Sequence, residues 1–111
     1  MAKLPNGARI RLTLSTGDAW VILREPTNEE MNDYQARKFY APDKATPAEA
    51  MMHVKRVQGE FFDTLVTGFE DLEDGEGAVT VERKDVFPLH LKAEIVFRRF
   101  DRVPIALDEK N

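Results

Sequence analysis

The sequence predicts a single α+β domain over residues 1–111, in which an N-terminal antiparallel β-hairpin packs on a small group of helices. Three observations carry that expectation. Apolar and polar residues alternate from Ala8 to Leu14 with the period of a strand, and a second run of strand formers follows after a turn. Two threonine-led capping boxes, Thr27 with Glu30 and Thr46 with Glu49, each mark a helix start. Between Thr46 and Phe69 the apolar residues recur at helical spacing.

Asn6-Gly7 is a turn dipeptide, after which Ile10, Leu12 and Leu14 point one way and Arg9, Arg11 and Thr13 the other. Ser15 to Asp18 supply a turn. The run Ala19 to Glu25 then pairs back on the first strand, with Trp20 and Ile22 on one face and Val21 and Leu23 on the other. Both faces are apolar, so a single covering helix is not enough for this strand. Pro26 ends it, because proline lacks the ladder donor. A helix follows from Thr27 to about Tyr40, with Glu29 and Glu30 in the first turn, where negative charge suits the helix dipole. Met31, Tyr34 and Phe39 fall loosely on one side. Ala41 to Ala45 form the link to the next helix.

The long helix is expected over about residues 47–69. Threonine caps it, Pro47 takes the first helical position, and winding it places Met51, Val54, Phe61, Phe62, Leu65 and Phe69 on one face. That face covers roughly half the cylinder, wider than the roughly 100° stripe of a helix lying on one surface. The excess makes Met51, Met52, Val54, Gln58, Phe61, Phe62 and Leu65 the candidate partner-binding residues. The competing reading closes the same residues into the protein's own core or a homodimer. Gln58 and Lys55 lie near the stripe, and the ordinary expectation is a backbone partner for Gln58 and a snorkelling Lys55.

Glu70 to Gly77 is acidic and punctuated by glycine, but no register meets the ligand pattern of a calcium loop, so a solvated loop is expected. Thr80 to Val86 fits either a short helix or a strand. From Leu89 to Phe100 the helical stripe Leu89, Ala93, Val96, Phe97, Phe100 competes with a strand alternation through Leu91 and Ile95. Pro88 at the first helical position, and the length of the pattern, favour the helix. Val103 to Leu107 is a short apolar segment expected to dock on the core, and 108–111 a disordered tail.

Composition narrows the function. Sixteen basic residues against twenty acidic ones leave a net charge of -4, which disfavours nucleic acid as a partner. There is no cysteine, so disulfides and thiolate metal sites are excluded. No apolar run approaches membrane-spanning length and the N-terminus lacks a signal-peptide core, so the expectation is a cytoplasmic protein with no membrane partner. His53 and His90 have no histidine or cysteine at metal-ligand spacing, and no phosphate-cradling loop or nucleophile motif occurs. An enzyme is not expected, nor a cofactor.

The stretch Trp20-Val21-Ile22-Leu23-Arg24-Glu25-Pro26-Thr27-Asn28-Glu29-Glu30 resembles the opening of the small tail assembly chaperones of tailed bacteriophages and prophages. In them a strand ending in Arg-Glu-Pro-Thr leads into a helix. The later order is also similar: a long helix, an acidic glycine-containing link from Asp71 to Gly77, then Pro88 and a basic amphipathic segment from Leu89 to Phe100. The most specific part is Leu23 to Thr27. The resemblance implies a non-enzymatic protein that binds the tape-measure protein during tail assembly, keeps it soluble and recruits tail-tube subunits. Two alternatives stand beside it: a structural tail or neck component that makes a ring or other homo-oligomer, and a small enzyme whose residues converge only in the fold.

Overall fold

In the computed structural model, which describes Ala2 and residues 6–101, the alternating N-terminal run is strand β1 (Ala8–Leu14) and its partner is β2 (Gly17–Leu23). They pair antiparallel from Ala8 opposite Leu23 to Leu14 opposite Gly17. Gly17 turns the chain with φ +142°, and Gly7, at φ +136°, sits where a Cβ would lie 2.5 Å from the Leu23 carbonyl oxygen. Both positions need glycine for its positive φ. Ala19, Val21 and Leu23 face the core, while Trp20 and Ile22 are half-buried on the opposite side. The Arg9 guanidinium covers that side, 4.3 Å from the Trp20 ring, and holds Glu70 at 2.9 Å. No second layer covers this face among the described residues; the Arg9 side chain screens Trp20 in part.

Helices α1 (Asn28–Phe39) and α2 (Pro47–Leu65) both begin with the capping boxes read from the sequence, each with its threonine hydroxyl and glutamate carboxylate satisfied. The long helix ends earlier than its periodicity suggests. At Val66 the backbone turns extended, and Val66–Glu70 becomes strand β3, antiparallel to β2 in the order β1-β2-β3. The expected helix over 47–69 is therefore corrected to 47–65. Val66, Thr67 and Gly68 are weak helix formers, and the free edge of β2 offers them a ladder instead. Arg24 fixes the switch: its backbone N–H donates to the Leu65 carbonyl at 3.0 Å and its guanidinium to that of Thr64 at 3.3 Å.

The acidic link is more ordered than a plain solvated loop. It folds into a short hairpin of β4 (Glu73–Asp74) and β5 (Gly77–Ala78), and Arg83 pins Asp74 at 2.6 Å. A 3-10 turn over Val81–Val86 brings Phe87 against Phe62 and Phe69. Helix α3 (Leu89–Val96) continues as a π-helical segment, Phe97–Asp101, in line with the preference for helix here. Most of the predicted stripe turns inward: Ala93 and Val96 are buried, Phe100 packs on the core and Leu89 lies against Gly59 of α2, although it is 41% exposed. Phe97 departs from it and is exposed, while Lys92 and Ile95 are buried, the Lys92 ammonium donating to Asp63 Oδ1 on α2 at 2.7 Å. Val103 to Leu107 and 108–111 lie outside the described residues.

One core joins all these elements. Phe61 stacks on Tyr34 at 4.2 Å and meets Phe100 edge-on at 5.2 Å, while Phe62 stacks on Phe87 at 5.4 Å. Beneath the Tyr34 side lies a polar knot. Asp101 accepts hydrogen bonds from the Tyr34 hydroxyl at 2.6 Å, Lys38 at 2.8 Å and Gln58 at 3.1 Å. Burial, then the bond to Asp101, raises the Tyr34 pKa and keeps the phenol a donor. Gln58 thus has a carboxylate partner rather than the backbone one expected.

Candidate functional site

The seven candidate partner-binding residues divide between core and surface. Phe61, Phe62 and Leu65 are enclosed by α1, the sheet and the Phe87 region, and Gln58 is buried against Asp101. Met51 and Met52 stay 63% and 47% exposed, and Val54 is half-buried. The division follows from position along α2. The buried residues of α2 run from Val57 to Leu65, in its C-terminal half, whereas Met51, Met52 and Val54 lie toward its N-terminal end.

Where α3 meets this part of α2, a groove of about 440 Å³ opens to solvent. Met51, Val54, Lys55 and Gln58 form its α2 wall, at the spacing of one helical face. Leu91, Ala93 and Phe97 are among the residues of the opposite wall. Phe97, 46% exposed, is the residue that sequence reasoning missed, having been assigned to the inward stripe. The Lys92–Asp63 pair between α3 and α2 carries no signal in the sequence, because it joins residues from two separate elements.

Lys55, His90 and Glu94 are the ionisable residues that line the groove. Glu94 is the single carboxylate near His90 there. His53 is on another side of α2, its Nε2 2.8 Å from the Arg37 carbonyl oxygen, and Glu49 is engaged in the Thr46 cap. Among the described residues, no group of three His, Asp or Glu is placed to hold a metal ion, and no helix is long and apolar enough to cross a membrane.

The displaced carboxylates each have a structural cause. Glu30 is held down to about 2 by the Arg24 guanidinium first and the Thr27 backbone N–H second. Glu49 is lowered by its Thr46 cap, Glu70 by Arg9 and Asp74 by Arg83. None of them lines the groove. The motif Leu23 to Thr27 is structural in the same way: Leu23 is buried, Arg24 pairs with Glu30, Glu25 with Arg99, and Thr27 caps α1.

No protein-family model matches the chain, and neither a curated protein nor a solved structure does.

Proposed function

We propose that this chain is a non-enzymatic, cytoplasmic protein-binding domain that covers an apolar helical segment of another protein, as a phage or prophage tail assembly chaperone covers the tape-measure protein. The observation that carries the reading is the solvent-open groove of α2 and α3, with Met51 and Phe97 exposed on its walls. Methionine is unbranched and polarizable, so a methionine-bearing wall adapts to varied apolar side chains. Two helices flanking an open trough form the surface on which an amphipathic helix lays its apolar face. The likeness of Leu23 to Thr27, and of the element order, to tail assembly chaperones supplies the class of client.

Pull-down with a fragment of a tape-measure protein, at low and moderate salt, tests the reading. The chain is expected to retain the fragment. Met51→Asp and Phe97→Asp, both at exposed positions, place a charge in the trough and are expected to weaken binding at least about tenfold while leaving the fold intact. No retention at either salt, or retention unaffected by both substitutions, would overturn it. A stable closed ring of the purified protein would instead favour the structural tail component.

A further inference from the structure

A second surface lies on the other flank of α3. Strand β1 is the outer strand of the order β1-β2-β3, and among the described residues nothing pairs with its free edge. The strand pairs with β2 without a bulge and contains no proline; its charged residues, Arg9 and Arg11, both lie on the face away from the core. Alongside it, a groove of about 570 Å³ separates Ile10 to Thr13 from α3. Leu91, Ile95 and Arg98 recur along one stripe of the helix beside four consecutive strand residues. An edge strand facing a helix across a lengthwise channel is the geometry of strand addition, in which backbone bonds hold a peptide and alternate side chains drop toward the helix.

We propose that this edge takes up an extended segment of another protein whose alternate residues are apolar and acidic. Ile10, Leu12, Leu91 and Ile95 supply the apolar floor. On the helix side Arg98 is bonded to Glu94 and Arg99 to Glu25, whereas exposed Arg11, on the other face of β1 opposite Trp20, has no ion pair among the described residues. An added strand turns one set of alternate residues toward the helix and the other toward the Arg11 face, where an acidic side chain is attracted. A second copy fits poorly. Antiparallel pairing of Ala8–Leu14 with itself sets Arg11 directly opposite Arg11, and like charges so placed destabilise the pair, whereas an acidic residue there is attracted.

Fluorescence anisotropy of the full chain with a short, end-capped peptide alternating valine and glutamate tests this, against a matched valine and lysine peptide. The glutamate peptide is expected to bind at least about tenfold tighter, with an advantage that shrinks as salt rises. Arg11→Glu should reverse the preference and Arg11→Lys keep it, with thermal melting verifying that both variants fold. Failure of the glutamate peptide to bind, equal binding of the two peptides, or indifference to Arg11→Glu would overturn the proposal. So would a dimer cross-linked through β1, or NMR contacts between residues 103–107 and β1 in the free chain.

Discussion

Arg24 touches more of the molecule than any other single charge in the N-terminal half. It holds Glu30, reaches the Thr64 carbonyl, and sends its backbone N–H to Leu65, so one residue joins the end of β2, the start of α1 and the end of α2. Glu30 reports on this junction. Its carboxyl lies near 2 in the folded chain against an ordinary 4.5, so the unfolded chain binds the extra proton between those values and stability falls as pH drops through that window. Urea titrations from pH 5 to pH 2 are expected to show the loss, and Glu30→Gln to flatten it. Asp101 is the corresponding residue at the other end. Its side chain and that of Lys38 are only 8% and 13% exposed, so Asp101→Ala strands a cation and a phenol and is expected to cost about 3 kcal/mol in equilibrium denaturation. Capping residues were legible because their partners lie three positions away; Asp101 was not, because its partners lie on α1 and α2.

Among the elements, the hairpin and the two capped helices follow from local pattern, and the sequence reading locates them closely. Two of the departures have a common origin. The helical stripe of α2 runs on to Phe69, yet the chain leaves the helix at Val66 because β2 presents an unpaired edge that only the folded sheet creates. In α3 the stripe keeps Ala93, Val96 and Phe100 on the core, but Phe97 is exposed and Lys92 is buried beside Asp63, its ammonium 5.8 Å from the centre of the Phe62 ring. Both outcomes depend on tertiary partners that a one-dimensional period cannot weigh. If the ion pair orients α3 without adding net stability, Lys92→Met should be nearly neutral or stabilising in thermal melts. Asp63→Ala, which leaves the buried ammonium alone, should cost about 1 to 2 kcal/mol, less than a fully buried pair because Asp63 is partly exposed.

At the scale of the whole molecule, most of the apolar excess inferred from the sequence is absorbed internally. Phe61, Phe62 and Leu65 close the core with Tyr34 and Phe87, and β3 uses Val66 and Phe69 in the sheet. Sequence periodicity could not say which residues of the wide stripe on α2 the core would take, because that depends on the elements packed against it. What remains outside lies in more than one place: the trough of Met51, Val54 and Phe97 with Met52 exposed as well, the end of α1 at Phe39 and Tyr40, and Val86. The account therefore assigns the C-terminal half of α2 to stability and the N-terminal half to a client. Methyl NMR during titration with a tape-measure fragment separates these roles most directly. The account predicts that the Met51 and Met52 methyl signals move and saturate while those of Val57 and Leu65 stay in place; methionine signals that do not respond, or core signals that move as far, would contradict it.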